Sequence, residues 1–231
     1  MGLSDRILFE DNHLLILNKL AGELVQGDHT KDKPLLEMAR DYIKERYNKP
    51  GNVFCGLVHR LDRPTSGIVV FAKTSKALTR MNKIFEQREV SKVYYAVVQN
   101  KPANSEERLV HYLRKDAKKN KSFVRPESDK SAKKAELLFR LKAASQKYFL
   151  LEVELYTGRH HQIRAQLSAI GSPIKGDLKY GFARSNHDAS ISLHAGRISF
   201  KHPVGDELIT IKAANPGEDA IWRIFNPKIL E

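Results

Sequence analysis

Three polar clusters in this 231-residue chain carry the side-chain types that could do chemistry. The first is Val58-His59-Arg60-Leu61-Asp62-Arg63-Pro64-Thr65-Ser66-Gly67. Arg63 precedes a proline and is biased to extended geometry, so the Asp62 carboxylate stands at a stiff corner. A carboxylate held there can serve as nucleophile or base; it can equally cap the turn through Thr65, Ser66 or backbone amides. The second cluster is Thr157-Gly158-Arg159-His160-His161-Gln162-Ile163-Arg164. If Ile163 and Leu167 face a core, His160 and Arg164, four apart, share a neighbouring helix face, and a cationic helix start there suits a phosphate. Adjacent histidines diverge on a helix and no acid lies within that turn, which argues against a metal site. The third cluster is Gly176-Asp177-Leu178-Lys179-Tyr180-Gly181, followed by His194 and His202. A protein-kinase reading of His-Arg-Leu-Asp fails, because Gly67 stands where that catalytic loop needs Asn.

The surrounding patterns describe what must hold these clusters. Strand signals run over 6–10 and 14–17, with a turn at Asp11-Asn12. A helix follows Pro34, with Leu35, Met38, Ala39, Tyr42 and Ile43 at helical spacing. The run 67–73 is a strand, and Thr74 or Ser75 caps a helix bearing Leu78, Met81, Ile84 and Phe85 on one face. The near-continuously apolar 93–98 reads as a central strand. Further strands are expected at 136–141, 148–156, 191–200 and 207–212. Helices are expected at 160–170, stopped by Gly171, and around Ala220, Ile221, Trp222 and Phe225. Many strands, few helices and no βαβ rhythm predict an α+β fold with a mixed, mostly antiparallel sheet. Neither an internal repeat nor a long linker divides the chain, and residues 1–231 fit one large domain or two small ones.

Composition narrows the partners. Forty Lys and Arg against 27 Asp and Glu give a net charge of +13, which favours a polyanion such as nucleic acid. Nine cations and three acids fall between Arg114 and Lys134. That stretch reads either as a solvated charged hairpin or loop or as an arm gripping phosphates in a salt-sensitive way. The single cysteine, Cys55, excludes an internal disulfide framework. No apolar run is long enough for a membrane helix and no signal-peptide pattern opens the sequence, so the expectation is a cytoplasmic protein without a membrane partner.

In this order and spacing the clusters resemble the RluA-type family of RNA pseudouridine synthases. The resemblance runs through EDNHLLILNKLAG, HRLDRPTSGIVVFAK, KVYYAVV, TGRHHQIRAQL, GDLKYG and LHAGRISFKHP, nearly the whole chain. It implies the family's mixed sheet flanked by helices with a central cleft, here as a lone catalytic domain without the S4-like domain of many relatives. Asp62 matches the catalytic aspartate, Tyr94 the tyrosine that stacks on the target uracil, and Arg164 the basic partner of the aspartate. Arg60 matches an arginine that in some members enters the RNA stack where the base leaves. His59, Arg159, His161 and the arm's Lys118, Lys119 and Lys121 complete the expected RNA contacts. Leu20 stands where the family usually has proline, His160 where it has a small hydroxyl residue, and Gln166 where it has histidine. The implied reaction, isomerisation of uridine to pseudouridine in rRNA or tRNA, needs neither cofactor nor metal. A monomer acting on RNA, with no DNA partner, is expected. The rival is a catalytically silent RNA-binding or ribosome-assembly module on the same scaffold; for it, Asp62, Tyr94 and Arg164 together would serve no purpose.

Overall fold

A computed structural model describes residues 2–28, 32–205, 207–215, 217 and 219–230. In chain order the elements are β1 (Ile7–Glu10), β2 (Leu14–Lys19), α1 (Leu35–Arg46), β3 (Gly56–Leu57), β4 (Ser66–Ala72), α2 (Ser75–Glu86), β5 (Val90–Val98), β6 (Glu106–Asp116) and β7 (Lys121–Arg125). Then come β8 (Lys133–Ala144), β9 (Phe149–Leu155), α3 (Gln162–Ala169), β10 (Leu193–Lys201), β11 (Leu208–Lys212) and α4 (Ala220–Leu230). One sheet runs β1-β2-β4-β10-β5-β9-β8-β6-β7, with β11 on β10 and β3 on β4. Among the described residues its single parallel contact is β4 with β10, through Ser66↔His194 and Gly67↔Ala195. The sheet is therefore mixed and mostly antiparallel, and the fold is α+β.

The apolar run of β4 has a simple cause, because both its faces are covered. Val69 and Phe71 pack with Leu35, Ala39 and Ile43 of α1, while Ile68 and Val70 pack with Met81 of α2 on the other side. All seven β4 residues are buried, and each large apolar side chain among them contributes roughly 1.5–3 kcal/mol. The Thr74 hydroxyl accepts the Ala77 N–H at 3.1 Å and so fixes where α2 begins. Gly67 has φ +118° where β4 meets β10, and a Cβ there would overlap the Ala195 backbone. Only glycine permits that approach, which explains the glycine ending the Thr-Ser-Gly step.

One expectation needs correction and one open choice is resolved. The helix of the second cluster begins at Gln162 rather than 160, because His161 adopts the left-handed conformation (φ 53°, ψ 29°) immediately before it. His160 therefore lies outside the helix and does not share a helical face with Arg164. The basic stretch 114–134 is a charged hairpin, the first of its two readings. It comprises the end of β6, β7 and the start of β8, paired as antiparallel strands at the sheet edge. Its turn, at 117–120, carries the exposed Lys118 and Lys119.

Candidate active site

The Asp62 corner is built by backbone contacts around one buried lysine. The Thr65 N–H donates to the Asp62 carbonyl at 3.0 Å, closing the turn that the proline stiffens. Lys19, at the end of β2 and fully buried, donates its ammonium to the carbonyls of Leu20 (2.9 Å), Arg63 (3.1 Å) and Thr65 (2.7 Å). Three donors meet three acceptors, so the group is fully satisfied without a direct carboxylate. Burial pushes its pKa down to about 7, opposed by the charges of Glu23 and Asp62. The departure at Leu20 has its own compensation: the Leu20 N–H donates to Glu23 Oε2 at 2.9 Å, a bond proline could not make. Arg6 holds the same oxygen at 2.7 Å.

Arg164 enters from α3 and is 5% exposed. Its Nε and Nη2 grip Asp177 side-on at 2.7 and 2.9 Å, and its Nη1 reaches Asp62 Oδ2 at 3.0 Å. Asp177, buried in the third cluster, thus fixes the guanidinium plane, leaving one edge for Asp62. The ring of Tyr180 lies beneath the guanidinium, 5.0 Å from its carbon. The hydrogen bonds and charges of both carboxylates hold Arg164 protonated against the opposing pull of burial. His161 Nε2 lies 3.4 Å from the same Asp62 oxygen. Among the described residues, no hydrogen bond or ion pair is made to Asp62 Oδ1.

Tyr94, on β5, packs at the seam between the cores on either side of the cleft. Burial, then the Asp62 charge, raises its pKa well above that of a free phenol, so it stands as a neutral ring. Asp62, Tyr94, Arg164 and His161 all line one open cleft of about 890 Å³, a volume within the range of ligand sites.

Of the expected RNA contacts, Arg60, His59 and Arg159 also line the cleft. Arg60 is exposed at its lip. His59 is half-buried, stacks on Phe85 and accepts the Val70 N–H at 3.3 Å; burial drives its pKa down to about 3, so it is neutral. Arg159 is turned back by its Nε bond to the Lys134 carbonyl at 2.9 Å. The turn carrying it is fixed by Gln162, whose Oε1 accepts the Thr157 hydroxyl at 2.7 Å and the Arg159 N–H at 3.0 Å. Lys118 and Lys119 lie on the hairpin turn rather than in the cleft. Lys121 sits over the Phe123 and Tyr180 rings at 5.4 and 4.8 Å. The third cluster divides. Asp177 and Tyr180 join the site, His194 bonds Ser66 behind it at 2.9 Å, and His202 pairs with Asp11 at 2.9 Å. Sequence reasoning gave no role to Lys19, Asp177 or Tyr180; only the recurrence of a lone acid and a tyrosine in Gly-Asp-Leu-Lys-Tyr-Gly marked the last two.

The sequence model of the family described as RNA pseudouridylate synthase matches residues 13–169. The ribosomal large subunit pseudouridine synthase C of Buchnera aphidicola (subsp. Acyrthosiphon pisum) is 34% identical over 91% of this chain and 67% of its own length. That of Vibrio parahaemolyticus is 33% identical over 96% and 69%. The tRNA pseudouridine synthase C of Pectobacterium carotovorum is 31% identical over 94% of this chain and 60% of its own length. Among solved structures, human RNA pseudouridylate synthase domain containing 4 superposes with a TM-score of 0.80 at 21% identity, covering 99% of this chain and 94% of that one, which shows the shared fold. A cleft holding an arginine-bound aspartate opposite a tyrosine thus sits on the scaffold of the RluA-type RNA pseudouridine synthases, the family of isomerases to which this chain belongs.

Proposed function

We propose that this chain works as one catalytic unit isomerising uridine to pseudouridine in ribosomal or transfer RNA, with Asp62 as the essential catalyst. The observation that carries the reading is Arg164, anchored on a buried aspartate and extending its remaining edge to Asp62 at 3.0 Å inside the cleft. The reaction breaks the bond from sugar C1′ to uracil N1 and forms one from C1′ to C5. The proton on C5 is lost and N1 gains one, so no oxidant or group donor enters. Asp62 acts on the reacting nucleoside, and Arg164 holds its carboxylate in place through the 3.0 Å bond.

The target base must leave its stack, at a cost of a few kcal/mol. The Tyr94 ring offsets part of this by stacking on the extruded uracil, a contact worth about 1–3 kcal/mol. Arg60, exposed at the lip, fills the space the base vacates. The hairpin lysines Lys118, Lys119 and Lys121 hold the backbone of a looped or bulged strand. The relatives named for ribosomal and transfer RNA, 31–34% identical to this chain, supply the two substrate classes. The protein acts as a monomer in the cytoplasm, without DNA or membrane partners.

The test is Asp62→Asn, assayed on rRNA and tRNA lacking their pseudouridines. Turnover should vanish while RNA binding persists, because only the chemistry is removed. Full activity in the variant would remove Asp62 from the mechanism, and loss of binding in a folded variant would make its role structural.

A further inference from the structure

The imidazole of His161 is held more tightly than a cleft-lining contact requires. The residue takes the left-handed conformation, uncommon for a non-glycine residue, and is 8% exposed. Such strain persists only where the surroundings over-determine it. Its Nδ1 lies 3.0 Å from the Tyr180 hydroxyl, which itself accepts the Ser122 N–H of β7 at 2.8 Å. His160 stacks on the other side, ring centroids 3.8 Å apart. That second ring is anchored through its own Nδ1 on the Ser122 hydroxyl (2.9 Å) and through Nε2 on Asn120 (3.1 Å). The β6–β7 hairpin therefore braces His161 twice, once through Tyr180 and once through the His160 stack.

We propose that His161 is a positioning residue for Asp62: a neutral imidazole locked with its proton on Nε2, presenting that N–H to the carboxylate and held there by the hairpin through Tyr180 and His160. This rests on the reading of Asp62 as catalyst. The tautomer follows from which acceptor takes the Tyr180 proton. The Tyr180 oxygen accepts the Ser122 N–H, and its one proton has two acceptors in reach, the Ser122 carbonyl at 3.2 Å and His161 Nδ1 at the shorter 3.0 Å, to which we assign it. Nδ1 is then the acceptor and the ring's proton sits on Nε2, facing Asp62 at 3.4 Å. The opposite tautomer would set a lone pair against the carboxylate. Protonation of the ring is opposed from every side but one. Burial and the charges of Arg164, His160, Lys179 and Lys115 push its pKa down to about 2, with Asp62 the acid it faces. At 3.4 Å the pair is within ion-pair reach but makes no hydrogen bond; in the reactive complex it must tighten, as catalytic contacts do.

The measurement is the ring ¹⁵N spectrum of His161 in the full-length ¹⁵N-labelled protein without RNA, paired with single-turnover kinetics. The free-protein spectrum should show one tautomer, protonated on Nε2, without titration between about pH 5 and 8. Tyr180→Phe should mix the tautomers and lower the rate constant about tenfold, leaving KM within about twofold. An Nδ1-protonated ring, a titration in that window, or a Tyr180→Phe variant unchanged in both readouts would overturn the proposal. The spectrum is read without turnover, so an Asp62 that proved dispensable would leave the tautomer result standing by itself.

Discussion

Replacing Arg164 with methionine separates what this residue does for the fold from what it does for the reaction. Asp177 is 1% exposed, and the described hydrogen bonds of its carboxylate are the two from Arg164. Removing one partner of so buried a pair costs about 3–5 kcal/mol. The Asp62 contact adds about 1 kcal/mol or less, because that carboxylate is part-exposed and solvent takes over. Arg164→Met should therefore lower the urea-unfolding free energy by about 3–5 kcal/mol. Adding Asp177→Asn removes the stranded charge, and the double variant should recover more than half of that loss. Activity should not follow. Asp62 lacks its cation in both proteins, and loss of a charge-assisted hydrogen bond of about 1.5–3 kcal/mol predicts roughly a 10- to 150-fold fall in the rate constant. Release of label from uridine C5 in RNA measures that rate directly, since the reaction expels that proton. Wild-type turnover in the double variant would show that Arg164 serves only to neutralise Asp177. A single variant as stable as the wild type would refute the buried-pair argument itself.

Two further outcomes can be checked with the same preparations. Changing Lys118, Lys119 and Lys121 together to Glu should raise KM for long RNA and flatten the dependence of binding on salt; an unchanged slope would show that the hairpin serves only to brace the site. Lys19 gives a pH signature. Its folded pKa of about 7 lies below the ordinary 10.5, so between those values the unfolded chain binds a proton that the native chain has released. Stability from this group therefore rises with pH in that window, by at most about 1.4 kcal/mol per unit. Unfolding free energies of wild type minus Lys19→Met should increase from pH 7 to about 10, and a flat or falling difference would mean that the ammonium stays charged.

Much of the molecule was legible because local and tertiary demands agree. The β4 run is uniformly apolar since helices cover both faces, and Thr74 has the chemistry of a cap and acts as one. The corner bearing Asp62 announces itself through an aspartate beside a proline and a glycine that no other residue could replace. The illegible parts share a different cause. Along β6 only Leu109 and Leu113 are buried, so a strand at the sheet edge carries too little apolar alternation to be read. Lys19 closes an apolar strand and looks like its solvated end, and nothing local says that three carbonyls wait for it. Asp177 lies 13 residues beyond Arg164, across a turn whose path the sequence does not specify. The left-handed His161 is set by packing against Tyr180 and His160, not by its own preference.

The place of β10 in the sheet has a consequence for the order in which the protein can be made. Asp62 leads into β4, in the half containing β1 and β2; Tyr94 lies on β5 and Arg164 follows β9, in the other half. Among the described residues these halves meet within the sheet only through β10, held to β4 by two residue pairs and to β5 by seven. During translation β4 emerges with one edge open and waits about 120 residues for its neighbour, roughly 6–24 s at ordinary elongation rates. Such an edge invites pairing with the wrong strand. Until Leu193–Lys201 has emerged, Asp62 and Arg164 stand on two half-sheets that no described strand joins.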